Sequence, residues 1–316
     1  MKKYFLLILI LFLAFFVRLY KIDSPIADWH SWRQADTASV TRSFVKEGFN
    51  PFFPRYDDSS GVSERPYPNI GRYRFVEFPV YNMAVYPFYL IFGVNEILHR
   101  LVSVLFSLGS LLFLFLIVKK YTGVVVAYLS ALIFALLPYN VFFSRTILPE
   151  PTLIFFSLGM MYFIDKLIEE QKKSLIWLAG IFMAISFLIK PWAIFYLLPM
   201  WYLYYKKNGS WILSKKTLAF LLLFVLPFLI WRMWILQFPE GIPASNWLLN
   251  GDGIRFRPMF WYWLLQERIG REILGLTGAF LFFLGLILRP SNKNYFFHFW
   301  ALSLFLYFVI FATGNV

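Results

Sequence analysis

Nine apolar stretches dominate the 316-residue sequence, near residues 4–20, 97–118, 124–139, 150–165, 174–189, 191–206, 217–238, 273–288 and 295–313. A water-soluble core has no room for so much uninterrupted apolar chain. Each stretch can cross a bilayer once tilt, flanking aromatics or local thinning is allowed. Composition agrees: 60% of residues are hydrophobic and only 15% are charged, against about 25% in soluble domains. The expected fold is an all-α polytopic membrane protein of about nine transmembrane helices, one unit over residues 1–316. Soluble, disordered and fibrous classes are excluded. Without cysteine, disulfides, thiol catalysis and Cys-based metal sites are impossible, and three scattered histidines, His30, His99 and His298, form no zinc-protease pattern.

A net charge of +13 suggests either nucleic acid or a membrane surface, and its placement decides between them. With Lys2 and Lys3 cytoplasmic, the alternate loops carry Lys119, Lys120, Lys166, Lys172, Lys173, Lys206, Lys207, Lys215, Lys216, Arg289 and Lys293. That makes 13 basic residues against three acids, Asp165, Glu169 and Glu170. The positive-inside rule then sets the N-terminus in and the C-terminus out, and nucleic acid is not expected as a partner. The first run, Tyr4 to Val17, is followed by Arg18, Tyr20 and Lys21 without a small-residue cleavage site, so it reads as an uncleaved signal anchor.

One further apolar stretch, Phe78 to Phe92, would invert every later loop if it crossed. It is therefore expected to lie as a helix at the outer surface, with Pro79 and Pro87 and its aromatics at the interface. Residues 21–96 become one long external loop; from Arg18 to Glu96 the chain holds nine basic and nine acidic residues. The loop opens on "WHSWRQADTASVTRSFVKEGF", an amphipathic pattern that predicts a second surface helix. A second external loop spans about 239–272, and the abrupt stop at "FATGNV" gives the expectation of a missing C-terminal region.

Polar chemistry at the outer boundary rests on few residues. Asp36, three residues after Arg33, shares a helix face with it and reads either as a general base for an acceptor hydroxyl or as a surface ion pair with Arg33. Glu150, between two prolines at a span start, reads as a helix-dipole cap or as a functional boundary acid, with Arg145 the local partner. Lys190, in an external turn, runs against the positive-inside bias; it reads as a cation for an anionic phosphate or as a snorkelling residue. Glu77 either contacts substrate or metal or caps the surface helix. The sequon at Asn208 falls in a cytoplasmic loop and carries no function.

The motifs "WRQADTASVTRSFVKEGFNPFFPR", "EFPVYNMAVYPFYLIFGVNEILHRL", "SRTILPEPTLIFF" and "FLIKPWAIFYLLP" resemble those of GT-C membrane glycosyltransferases over residues 1–206. Within that superfamily the chain looks like glycosyltransferase family 39 and its bacterial relatives, which include protein O-mannosyltransferases and the lipid A aminoarabinose transferase. The resemblance implies a polyprenyl-phosphate sugar donor, a protein, lipid or glycan acceptor, inversion at the anomeric carbon, and an extracytoplasmic site on the plasma membrane. It puts Asp36 on the family's first-loop catalytic Asp, Glu150 on its later acidic position and Lys190 on a Lys that approaches the donor phosphate; with the reading of the residues, Asp36 and Glu150 are then expected to be catalytic and Arg33, Glu77, Arg145 and Lys190 to contact substrate. No cofactor is required; if a divalent metal (Mg or Mn) is used, Asp36, Glu77 and Glu150 are its oxygen ligands. Many relatives have Asp-Glu where this chain has Asp36-Thr37, and Lys-Pro-Pro where it has Phe78-Pro79-Val80. The rival reading is a transporter or flippase of a lipid-linked sugar; with neither internal repeats nor paired broken helices in the sequence, it has less to stand on.

Overall fold

The structure is a computed structural model describing residues 4–58, 63, 67–290 and 294–312. Lys2, Lys3 and Lys293, used above in the charge argument, lie outside the described residues. Helices α1 (Phe5–Arg18), α2 (Ser31–Glu47), α3 (Val80–Phe92), α4 (Glu96–Thr122), α5 (Val124–Leu136) and α6 (Pro138–Phe143) form the first part. They are followed by α7 (Glu150–Glu170), α8 (Lys173–Ile189), α9 (Leu197–Asn208), α10 (Lys215–Ile235), α11 (Pro258–Tyr262), α12 (Gly275–Ile287) and α13 (Phe296–Ile310). A π-helical segment, Trp263–Ile273, joins α11 to α12. Among the described residues there is no β-strand, only an isolated antiparallel bridge between Arg55 and Tyr73.

Local chemistry sets the helix ends. The Asn95 side chain accepts from the Ile97 N–H at 2.8 Å to start α4, with Glu96 in the first turn and Lys119 and Lys120 in the last, the charge order that the helix dipole favours. Gly123, at φ +94°, then ends it. Helix α7 starts within Pro149-Glu150-Pro151, where the missing proline N–H groups cost nothing.

All nine apolar stretches are helical, but length alone carries fewer crossings than nine. Three helices, α4, α7 and α10, are long and apolar enough to span a membrane by length and composition, or four if the bent pair Pro258–Ile273 and Gly275–Ile287, at 117°, is one span. The remaining six stretches form helices of 12–17 residues. One reason is visible at 191–206, where residues Pro191–Tyr196 take a 3-10 conformation before α9 begins. Both sequence-predicted surface helices are present as α2 and α3.

Helices α4, α7 and α8 pack around one apolar cluster that includes Leu158, Met160, Met161, Met183 and Phe187. Close approach depends on small residues set against aromatic rings: Gly109 against Phe155, Gly159 against Phe182, and Gly180 against Phe224. At one end of this bundle Lys120 Nζ lies 2.6 Å from Asp165 Oδ2, and the Tyr121 hydroxyl donates to Asp165 Oδ1 at 2.7 Å. At the other end α2 and α3 are bonded onto α4. Asn82 Nδ2 donates to the Thr37 carbonyl and to Thr41 Oγ1, while the buried His99 ring bonds Thr41 Oγ1 at 3.0 Å and the Tyr89 hydroxyl at 2.7 Å. Lys120, from one of the basic loops, and the surface helices α2 and α3 therefore sit at opposite ends of α4.

Candidate active site

Three segments distant in sequence meet at the α2 end. Lys190 caps α8 in an extended conformation, its N–H on the Ser186 carbonyl at 2.9 Å, and Pro191 prevents the helix from continuing. Its ammonium lies 2.5 Å from Glu150 Oε1 at the first turn of α7. Arg33, in the first turn of α2, brings a guanidinium nitrogen to the same oxygen at 2.8 Å. Two cations on one oxygen leave Glu150 Oε2 buried without a hydrogen-bond partner. An ionised acid near hydrocarbon costs up to about 3 kcal/mol unless paired, and here two cations offset that cost. The set keeps one positive charge in excess. Glu150 in turn holds the Arg33 guanidinium above its ordinary pKa.

Asp36 lies one helical turn beyond Arg33 on α2. Its carboxylate does not pair with Arg33, as spacing within the helix allowed, but accepts from Arg74 NH1 at 2.9 Å. Arg74 is aimed by a short antiparallel pairing in which its N–H bonds the Pro54 carbonyl at 2.9 Å and the Tyr56 N–H bonds the Arg72 carbonyl at 3.0 Å. Burial pushes the Asp36 carboxyl above the ordinary aspartate range, and the Arg74 charge opposes that shift. A carboxyl raised in this way is a better proton acceptor than a solvated one.

Glu77 is part-buried, with Oε2 lacking a hydrogen-bond partner. It lines, with Arg74, Thr37 and Asn82, a space of about 10 Å³, room for one water. Its charge also reaches Arg33. The N-cap of α3 is Pro79, with no side-chain cap bond, so Glu77 does not cap that helix. The Phe78 N–H bonds the Leu188 carbonyl at 3.0 Å, which holds Glu77 in register with Lys190.

Arg145 is not the partner of Glu150. Its guanidinium bonds the carbonyls of Tyr20, at 2.5 Å, and Lys21, at 3.0 Å, where it fastens the exit of α1. Five residues is too long a step for a shared helix face, and residues 144–149 are not part of a helix. Among the described residues no three of Asp, Glu, His or Cys gather as metal ligands, so Asp36, Glu77 and Glu150 do not form one cluster. Sequence reading missed Arg74. The alternation Arg72-Tyr73-Arg74-Phe75 carried a period-two signal that puts both arginines on one side of an extended segment.

The sequence pattern of the dolichyl-phosphate-mannose-protein mannosyltransferase family matches residues 77–234, half of the chain. The chain belongs to that family. YycA of Bacillus subtilis (strain 168), provisionally named a mannosyltransferase, is 30% identical over 228 residues, 70% of this chain and 30% of its own length. An uncharacterized protein of Aquifex aeolicus (strain VF5) is 33% identical over 159 residues, 50% of this chain and 36% of its own length. The fold is that of ArnT from Cupriavidus metallidurans, solved bound to undecaprenyl phosphate, at a TM-score of 0.64 and 15% identity over 97% of this chain and 56% of that one. In its apo state ArnT matches with a TM-score of 0.60. The chain spans about a third of the length of these curated relatives and just over half of ArnT. This family member is a polytopic membrane protein of GT-C type.

Proposed function

We propose that the protein transfers a sugar from a polyprenyl-phosphate donor to an acceptor hydroxyl at the outer face of the plasma membrane, with inversion. The observation that carries this reading is the pair of cations, Arg33 and Lys190, on the single carboxylate oxygen of Glu150, one helical turn from Asp36. Asp36 takes the proton of the acceptor hydroxyl as its oxygen attacks the sugar C1. The bond from C1 to the phosphate oxygen breaks, and polyprenyl phosphate leaves with the electron pair. The leaving group is already anionic and needs no acid; Arg33 and Lys190 stabilise the charge that develops on it. Glu150 orders the two cations before the donor arrives, and Glu77 contacts the sugar or the acceptor. Arg145, held on backbone carbonyls, stays outside this set.

Support for the donor class comes from family membership and from the undecaprenyl phosphate bound to the structurally similar ArnT. A transporter reading would ask for buried charge near mid-membrane, whereas the charged residues of α4, α7 and α10 lie toward the helix ends. The test is purified natural protein in lipid vesicles with a panel of polyprenyl-phosphate sugars, reading release of polyprenyl phosphate. Release that depends on an added acceptor is expected. Sugar donors that cross the vesicle membrane uncleaved would overturn the transferase assignment.

A further inference from the structure

Gln34 lies between Arg33 and Asp36 and is completely buried. Its Nε2 donates to Asp28 Oδ1 at 2.6 Å and to the Trp29 carbonyl at 3.0 Å, and its Oε1 accepts from the Ile147 N–H at 3.0 Å. A carboxylate and a carbonyl can only accept and an amide N–H can only donate, so the side-chain amide has a single workable orientation. Ile147 precedes Glu150 by three residues. The same stretch is held from the other side by Ser103 of α4, whose hydroxyl donates to the Thr146 carbonyl at 2.7 Å. The 144–149 segment is thus suspended between α4, through Ser103, and α2, through Gln34.

We propose that Gln34 is a positioning residue: it clamps the segment that leads into Glu150 to the helix that carries Arg33 and Asp36, and so sets the separation of the two halves of the site. What is positioned rests on the transferase reading above; the clamp itself does not. The ion pair that Arg33 makes from α2 to Glu150 of α7 could not do this, because it runs through a long flexible side chain, whereas Gln34 bonds main chain directly. With an apolar residue there, the buried Ile147 N–H and the part-buried Asp28 carboxylate lose their partner, and the 144–149 segment is freer to shift. A misplacement of about 1 Å at reacting groups costs on the order of 10²-fold in rate.

The test uses Gln34→Leu, Gln34→Glu and the exchange Gln34→Glu with Asp28→Asn in the natural protein. Gln34→Glu keeps an acceptor for the Ile147 N–H but sets a second carboxylate against that of Asp28. Adding Asp28→Asn returns an amide donor to this contact from the opposite side and so restores it. Turnover is expected to fall about 10- to 100-fold in Gln34→Leu and Gln34→Glu, with a raised KM for the donor, and most of it should return in the exchange variant. Hydrogen exchange of the peptide containing Ile147 should speed up in Gln34→Leu, a readout that needs no substrate. If folded Gln34→Leu keeps wild-type kcat, KM and exchange, or the exchange variant is no better than Gln34→Glu, the proposal is wrong. If the wild type transfers no sugar, the function assignment fails instead, and the exchange rate at Ile147 still decides the clamp.

Discussion

Lys190 and Glu150, 40 positions apart, share a 2.5 Å contact on the oxygen that Arg33 also reaches. Because Arg33 meets the same oxygen, Lys190 and Glu150 are not an independent ion pair. If the proposed function holds, Lys190→Met should weaken donor binding about tenfold and slow transfer, since the donor phosphate would lose one of its two cations. Exchanging the charges, Glu150→Lys with Lys190→Glu, should not restore activity, because the new lysine would face Arg33. Donor titration and turnover measure both. Full recovery in the exchange would show that Arg33 contributes nothing to the set.

Asp36→Asn keeps size and most hydrogen bonding but cannot take a proton. Turnover should fall by about 10²–10⁴-fold while donor binding changes little. Wild-type turnover would remove the general-base assignment.

The pH dependence follows from the same carboxyl. A base works only when ionised, so if Asp36 is the base, transfer should fall as pH drops through its folded pKa. Burial raises that pKa, so the acid limb of the rate profile should lie above the range of a solvated aspartate; Arg74, which opposes the shift, keeps it from rising further. Arg74→Met should therefore move the acid limb to higher pH, and Arg74→Lys should move it less. A limb that stays put in Arg74→Met would mean that another group titrates.

Much of this was legible from the chain itself. Apolar stretches gave the helices, and the patterns around Asp36 and Phe78 gave α2 and α3, because amphipathic and interfacial signals are local. The pairing of charges was not. Arg33 and Asp36 share a face at i, i+3, yet each is bonded outside its helix, to Glu150 and to Arg74. Tertiary contacts override such weak surface pairs, worth a few tenths of a kcal/mol. Arg145 was drawn to Glu150 by nearness in sequence, but backbone carbonyls at the exit of α1 hold it. The role of Gln34 was invisible, since a neutral amide carries no charge pattern to read.

Topology can be checked without removing any native thiol, because the sequence contains no cysteine. Ile70 is 85% exposed in the loop between α2 and α3. In intact cells, Ile70→Cys should react with a membrane-impermeant maleimide. Labelling only after the membrane is permeabilised would place α2, Asp36 and Glu77 inside and overturn the outer-face site.

The bundle that carries the site makes its own prediction. A Cβ on Gly159 would lie 2.2 Å from the ring of Phe182, closer than any real contact. That ring cannot easily swing away, because Phe113, Phe155, Phe156 and Phe163 surround it with centroids 5.0–5.7 Å distant. Gly159→Ala should then push α7 from α8 and destabilise the protein by about 1–3 kcal/mol, the usual range for overpacking. Since Glu150 opens α7 and Lys190 closes α8, the same displacement should stretch their contact and lower turnover in the fraction that stays folded. Gly285 in α12 meets nothing within 4 Å of an added Cβ, so Gly285→Ala is the matched control and should be no less stable than the wild type, gaining up to about 1 kcal/mol from the better helix former. Denaturation in mixed micelles measures the stabilities; equal values for Gly159→Ala and Gly285→Ala would show that α7 and α8 have room to spare. Gly159→Ala combined with Phe182→Leu should recover part of both stability and turnover, because the smaller side chain yields the space that the new methyl needs.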